Sequence, residues 1–566
     1  MKIKEFLKEN WAIIAIIIFA LAIRLWYFYI TYGQANWWDS SEYLSQAKHY
    51  AFDLQFDVNP QRPPFFQYIA SAIFSAGLPG PGVGEELFIL LCVLLPSVLL
   101  VWAVYLLAKE MFNASGYGKT IALIAAALSA VGWSWVFWSN RVEPDFLSMV
   151  FQVLAVLFMW KYWKSRQSAT SNIRSAEQSA TLQTPPVSAS AEAPAVVTND
   201  NSGREERLFH QKLWAQYSWV ILAGAFSAFG FYFKISALLV PMCFMAFIAL
   251  KEGLAAFKDK GYWMYVVSFI FFLAPYFLWA YNTFGDIFAF KSGYIDAPQD
   301  FPSFGWYNLQ FYQSMTDQVL YVIFLVAVLL AMLRLFSQST DKEGKKLSWE
   351  ERCMHDGKLF CLIVFTVVSC FYIFYMRNTD DRWIFLWMPF IYALSAWFLV
   401  EAARYFIKDG NSRKWIMVGI WIIVACIAVQ QLQHADALIK YKADSYGPVR
   451  DAALWIKANS PPTAKVLSIS YPQTVYYSER NVSTYSGIKS AEEFRQKLIE
   501  NKWEFMQVSI FEPHPSWVYT WTNEQAQKGN IVPVQIYWLD QAKTQPSLIV
   551  YFINIIEQNQ GVNVTL

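Results

Sequence analysis

The feature that most constrains this chain is a recurrence of apolar runs long enough to cross a bilayer. A helix of about 20 residues, rising 1.5 Å per residue, spans a hydrocarbon core of about 30 Å. About eleven such runs stand out, at 11–30, 87–107, 120–138, 144–162, 214–231, 235–250, 261–281, 319–333, 359–375, 383–400 and 415–429. The chain is 56% hydrophobic and 16% charged, where soluble domains carry about 25% charge. It reads as a polytopic α-helical membrane protein. The net charge of +2 says nothing about partners, because local asymmetry matters more in such a chain; no nucleic-acid partner is expected.

One segment decides the topology. Residues 65–78 are apolar but only about 14 long, the length of an interfacial or re-entrant piece. If they do not cross, the predicted cytoplasmic segments are all basic, as the positive-inside rule requires. They include Lys2, Lys4 and Lys8; Lys161, Lys164 and Arg166; and Arg404, Lys408, Arg413 and Lys414. The N-terminus is then cytoplasmic and the C-terminal part extracytoplasmic. The expected organisation is a transmembrane domain over 1–430 and a small extracytoplasmic α/β domain over 431–566. Within the first, 31–86 is an outer loop with interfacial helices, 165–212 a disordered cytoplasmic loop and 284–316 an aromatic outer loop. The cytoplasmic loop is rich in Ser, Ala, Thr and Pro and has few large apolar residues to offset its ordering entropy. The tail alternates helical patterns (PVRDAALWIKANS, AEEFRQKLIENKW) with β-rich runs (AKVLSIS, FMQVSIF, IVPVQIYW, LIVYFIN). None of the six cysteines falls in the tail, so no disulfide framework supports it.

On this topology the unusual charges collect at outer turns. Asp39 and Glu42 follow the first span in WWDSSEYL, and Arg62 precedes a Pro-Pro pair. Arg141, Glu143 and Asp145 lie in the turn RVEPD. Lys234 lies in GFYFKISALL, and Arg377, Asp380, Asp381 and Arg382 lie in MRNTDDRW. Ionisable groups at the edge of an apolar phase tend to be paired or functional. Each also has a plain reading. Asp39-Ser-Ser-Glu42 has capping-box spacing for a helix starting at Ser40, and spacing alone favours the cap. That helix would lie on the outer surface, with Tyr43, Ala47, Tyr50, Ala51 and Leu54 on its apolar face. Glu143-Pro144-Asp145 suits a helix start, and the two arginines of MRNTDDRW could anchor at headgroups. Lys234, in a turn too short to be a solvated loop, implies an anionic partner. No metal-ligand spacing or cofactor motif occurs. The Asp380-Asp381 pair suits solvent better than a divalent cation, and metal dependence stays open.

Taken in order, these segments resemble the GT-C class of membrane glycosyltransferases. The likeness is to the branch of protein O-mannosyltransferases and lipid A aminoarabinose transferases. WWDSSEYL followed by NPQRPPFFQYIASAIF is similar to that branch's acidic motif and its basic residue before Pro-Pro. RVEPDFLSMVFQVLA resembles its third-to-fourth helix turn, GFYFKISALLVP its Gly-to-Lys signature and DDRWIFLWMPFIYAL its late Arg-aromatic element. PVRDAALWIKANSPPTAKVLSISYPQTVYYSER resembles the start of the outer domain. Trp383 stands where Tyr or Phe is commoner, and nothing carries over for the acceptor.

The resemblance implies a sugar donor on dolichyl or undecaprenyl phosphate. It implies Asp39 as catalytic base assisted by Glu42, and Arg62, Lys234 and Arg382 as donor-phosphate ligands. Arg141, Glu143 and Asp145 would support them, the carboxylates orienting Arg141 or the sugar. Direct attack would invert the anomeric carbon. The alternative is a transporter or flippase for a lipid-linked sugar. That would place ionisable groups near the middle of spans rather than at one edge.

Overall fold

The computed structural model describes all residues except 1–2, 79–81, 114–115, 183–201, 292–304, 307, 337–356, 377–380, 407–409 and 555–566. Among the described residues nine helices are long and apolar enough to cross a membrane. They are Leu7–Ile30, Val83–Met111, Asp145–Gln167, Ile235–Lys258, Lys260–Phe284, Tyr312–Leu335, Gly357–Met376, Ile384–Tyr405 and Arg413–Tyr441. The other two expected spans are also helical. One is the Ser202–Phe233 helix, and the other is broken into Gly118–Val131 and Trp133–Trp138. The chain is a multi-pass membrane protein. Its helices sort by burial: the apolar window of Ile384–Tyr405 is 89% buried and that of Asp145–Gln167 72%, against 22% for Leu7–Ile30 and for Arg413–Tyr441. The first two are therefore the centre of the bundle and the last two its rim. Rim helices expose Trp11, Ile18, Trp26 and Ile422, as a lipid-facing surface should.

The break between Gly118–Val131 and Trp133–Trp138 has a local cause. Gly132 turns to φ −50°, ψ 117°, and a Cβ there would meet the Tyr392 hydroxyl at 2.1 Å. A bend in an apolar phase frees backbone groups that must find partners. Here the Trp133 N–H donates to Gln431 Oε1 at 2.8 Å. The Ala130 carbonyl accepts from Arg24 at 2.9 Å, and Arg24 also donates to Ser97 Oγ at 2.7 Å. Arg24, fully buried in the first helix, thus stabilises a break made about a hundred residues later. The redirected Trp133–Trp138 helix carries the chain into the turn that holds Arg141, Glu143 and Asp145.

The tail forms a five-stranded sheet of order β2-β1-β3-β5-β4. The strands are β1 Lys465–Leu467, β2 Asn481–Ser483, β3 Phe505–Ser509, β4 Ile531–Trp538 and β5 Pro546–Ile553. β1 pairs in parallel with β2 and β3, whereas β5 is antiparallel to β3 and β4. All four β-rich runs became strands, and both helical patterns became helices, Gly447–Asn459 and Ala491–Asn501.

Several expected boundaries move. The last long helix runs to Tyr441, because Ala435 and Ile439 continue its buried stripe past residue 430. The Asp145–Leu182 and Ser202–Phe233 helices extend into the loop expected to be disordered, since Ala, Glu and Gln favour helix as much as solvent; its centre lies outside the described residues. The aromatic loop expected over 284–316 ends earlier, with a helix from Asn308.

The largest correction concerns the helix after the first span. It runs from Trp38 to Phe52, and every residue from Ser40 to Lys48 is buried. It does not lie on a surface. The Phe65–Ser75 helix packs on it, and so does the tail's Tyr471–Ser478 helix. The polar face that sequence reading gave to water is covered by these helices, and several of its polar atoms find partners there. Ser45 Oγ donates to the Pro472 carbonyl at 3.2 Å. Lys48, 1% exposed, donates to the Tyr476 carbonyl at 2.9 Å and pairs with Glu479 at 2.5 Å. Nearby, Tyr476 and Asn36 both donate to the buried Glu85, each at 2.7 Å.

Candidate active site

The Trp38–Phe52 helix brings Asp39 and Glu42 to its N-terminal end, but not as caps. It starts at Trp38, and no side chain caps it. The expected capping box fails because both carboxylates have cationic partners instead. Asp39 Oδ1 accepts from Arg62 at 2.7 Å and Oδ2 from Arg382 at 2.5 Å. Glu42 accepts from Arg62 at 2.7 Å through Oε2 and from Asn59 at 2.6 Å through Oε1. Arg62 completes its fork by donating to the Tyr43 hydroxyl at 2.8 Å, its guanidinium 4.6 Å from that ring. Pro63 and Pro64 follow it and open the Phe65–Ser75 helix, which fixes where the guanidinium sits.

Arg382 rises from the Asp381–Trp387 turn that precedes the most buried helix. It bridges Asp39 to Glu143, which it meets at 2.7 Å, and rests 4.9 Å from the Trp138 ring. Lys234 is a single extended residue between two helices and pairs with Asp145 at 2.5 Å. The two helices also meet next to this pair, where the Gly230 carbonyl accepts from Ser148 Oγ at 3.1 Å.

Seven of the eight expected residues are therefore held in direct ion pairs: Arg62 and Arg382 tie Asp39, Glu42 and Glu143 into one network, and Lys234 and Asp145 form a separate pair. Arg141 does not join them through an ion pair. Its guanidinium stacks on Phe137 at 3.8 Å and Trp37 at 4.6 Å, and it donates to the Phe137 carbonyl at 2.5 Å. Short spacing put Arg141 beside the carboxylates in sequence, but the turn points it back onto the rings of the preceding helix. Arg377 and Asp380 lie outside the described residues, as does the Asp381 side chain. Tyr43, Asn59 and Trp138 were missed; a polar or aromatic residue near a charged one carries no distinctive sequence signal.

The electrostatics of the cluster are uneven. Burial opposes ionisation of Asp39, but the Arg62 and Arg382 guanidiniums outweigh it and lower its carboxyl to about 2. Glu143 goes the other way: burial raises it to about 8, Arg382 opposes this, and the neighbouring Asp39 and Asp145 charges add to it. Burial disfavours the Arg62 charge, yet Tyr43, Asp39 and Glu42 hold it well above its ordinary value. Burial lowers Arg141 to about 9 against the pull of Glu143. Among the described residues no three His, Cys, Asp or Glu side chains are grouped to hold a metal.

The fold that holds this cluster has structural counterparts. The chain superposes on ArnT from Cupriavidus metallidurans, solved bound to undecaprenyl phosphate, with a TM-score of 0.60 at 11% identity, covering 98% of this chain and 100% of that one. The fold is that of the GT-C glycosyltransferases. An oligosaccharyltransferase from Archaeoglobus fulgidus, tethered to an acceptor peptide, shares the GT-C fold with a TM-score of 0.55 at 13% identity, over 89% of this chain and 70% of that one. The family model for dolichyl-phosphate-mannose-protein mannosyltransferases matches residues 61–171, which hold Arg62, Arg141, Glu143 and Asp145. No curated protein matches the chain in sequence. The GT-C resemblance read from the motifs is thus borne out.

Proposed function

We propose that the chain is an integral membrane glycosyltransferase that moves a sugar from a polyprenyl-phosphate donor to a hydroxyl acceptor on the outer face of the membrane. The supporting observation is the set of three cations, Arg62, Arg382 and Lys234, each held in place by carboxylates. In this reading the donor is a sugar joined through its anomeric carbon to polyprenyl phosphate. The acceptor oxygen attacks that carbon, the bond to the phosphate oxygen breaks, and polyprenyl phosphate leaves with the electron pair. The leaving group needs its charge stabilised rather than a proton, which preorganised cations do in a dry site. The acceptor proton passes to Asp39. Attack opposite the leaving group inverts the anomeric centre. The N-terminus is cytoplasmic, and the tail domain sits on the side of the reaction.

The donor also prepares the base. With both guanidiniums upon it, Asp39 is a weak base. A phosphate that draws Arg62 and Arg382 toward itself relaxes their hold, and the carboxyl moves back up toward its ordinary range.

Glu143 gives this reading a pH signature. Arg62, Lys234 and Arg382 face Asp39, Glu42, Glu143 and Asp145, so the fully ionised cluster carries one net negative charge. With Glu143 protonated it is neutral, which repels a singly charged phosphodiester less. Glu143 has a raised pKa of about 8, so the proton is present below that pH and lost above it. Donor KM is expected to rise between pH 7.5 and 9, approaching tenfold per unit at the upper end. Glu143→Gln should flatten the profile; an unchanged slope in that variant would assign the titration elsewhere.

The direct test incubates the purified chain with a panel of polyprenyl-phosphate sugars and measures released polyprenyl phosphate and glycosylated product. Release with at least one donor is expected. Vesicles containing the chain that instead carry labelled sugar-lipid across, without cleaving it, would replace the transferase with a flippase.

A further inference from the structure

A second polar site lies beside the charged cluster. A cavity of about 410 Å³ opens between the Trp133–Trp138, Asn308–Phe336 and Gly410–Tyr441 helices, lined by Trp133, Gln310, Gln313, Asp317, Gln318 and His434 among others. Its size falls within the range of small-molecule sites, about 300–1,000 Å³. The charged cluster described above does not use these residues.

The lining is built. Asp317 interrupts the Asn308–Phe336 helix with φ 58°, ψ 168°, a backbone region unfavourable for a non-glycine residue that recurs at ligand clamps. Three contacts hold it there. Asp317 Oδ1 meets His434 Nδ1 at 2.8 Å, Oδ2 accepts from Gln431 at 3.1 Å, and the Thr316 carbonyl accepts from the same amide at 2.8 Å. Trp133 stacks on the His434 ring at 4.3 Å with 13° between planes. The His434 side chain stays 39% exposed, so the pair is open to a ligand.

The chemistry of the lining selects the ligand. The three glutamines offer both donors and acceptors, as hydroxyl groups require. The Asp317 carboxylate already has His434 and Gln431 as partners, and no Lys or Arg lines the cavity among the described residues, so it does not suit phosphate. An indole edge gives an apolar surface for a ring face. A neutral, hydroxyl-rich ring fits this set.

The cavity is also coupled to the cluster: Trp133 lines it, and Trp138, about 8 Å further along the same helix, lies under Arg382. We propose that this cavity is the acceptor site and that it takes the saccharide part of a glycoside or glycan, a reading that rests on the transfer reaction above. The acceptor hydroxyl would enter from the Arg382 side, where Asp39 Oδ2 lies.

The test uses the full chain in lipid nanodiscs, so that no sugar-headed detergent competes. Methyl α-mannopyranoside, methyl β-glucopyranoside and maltose serve as neutral probes and inorganic phosphate as the anionic control, with binding read by saturation-transfer NMR. At least one glycoside should bind at millimolar concentration, and Gln313→Ala and His434→Phe should each weaken it at least fivefold without phosphate competing. Gln313 is exposed, so its variant reports even if His434→Phe fails to fold. Absence of glycoside binding, equal binding by wild type and Gln313→Ala, or displacement by phosphate would each overturn the proposal. Saturating polyprenyl-phosphate sugar should leave the glycoside bound; competitive displacement would assign the cavity to the donor's own sugar and overturn the acceptor assignment. Binding is read without turnover, so a chain that binds glycosides but releases no polyprenyl phosphate separates failure of the transfer reading from failure of this one.

Discussion

Asp39→Asn is expected to lower the rate of sugar transfer by about 10²–10⁴-fold, the usual contribution of a positioned general base, while donor binding stays intact or tightens. The two halves of that result come from the same contacts. Asp39 accepts from Arg62 and Arg382, so it competes with a phosphate for both guanidiniums. Asparagine keeps the shape and one acceptor oxygen but gives up the negative charge. The arginines are then freer to hold the donor, and the acceptor hydroxyl has no base. No helix cap is lost, because Asp39 does not cap its helix. The measurement is single-turnover release of polyprenyl phosphate together with donor affinity. A variant that keeps wild-type turnover would remove Asp39 from the chemistry, and one that loses donor affinity in step with rate would make it a donor ligand instead.

Arg62→Met is expected to damage rate and stability together. Removing one preorganised cation from the developing charge of the leaving group costs about 10²–10³-fold in rate. The same change leaves Asp39 with one guanidinium and Glu42 with Asn59 alone. The loss in folding free energy should be about 2–3 kcal/mol, below the 3–5 kcal/mol of a fully buried pair, because the Arg62 side chain keeps 20% of its exposure. Arg62→Lys separates the two effects. It restores a charge but cannot serve Tyr43, Asp39 and Glu42 from one planar fork. Stability should recover more fully than rate. Equal recovery of both would mean that Arg62 acts as a charge and not as a shaped ligand.

The architecture was largely legible because hydropathy is a local property. Each expected span is a helix, and four of the tail's five strands follow its β-rich runs. The site was legible in membership but not in geometry. Asp39 and Glu42 have the spacing of a cap, and only Arg62 and Arg382 decide otherwise; Arg382 lies 343 residues away. Arg141 shows the converse, since it neighbours Glu143 in sequence and yet packs on Phe137 and Trp37. Lys234 was the clearest signal, because a cation confined to a one-residue turn between apolar helices has few places to send its charge. The Asp317–His434 cavity gave no signal at all. Asp317 begins an ordinary-looking helical stretch, and His434 lies in what reads as the start of a soluble tail. Their pairing exists only because one helix kinks and the other runs on past residue 430. Arg24 and Gln431 were passed over for a related reason: each satisfies a backbone break contributed by a different helix.

The seating of the tail on the Trp38–Phe52 helix also sets an order of events during synthesis. Lys48 and Glu479 are separated by 431 residues, which a ribosome needs about 20–90 s to add at roughly 5–20 residues per second. Throughout that interval the segment carrying Asp39 has emerged, but the surface that encloses its polar face has not. A nascent or truncated chain can insert its helices and still lack a closed site. The tail domain, made long after the first loop, is the one that completes it, so a chain cut short before about residue 480 should sit in the membrane without acting on the lipid-linked donor around it.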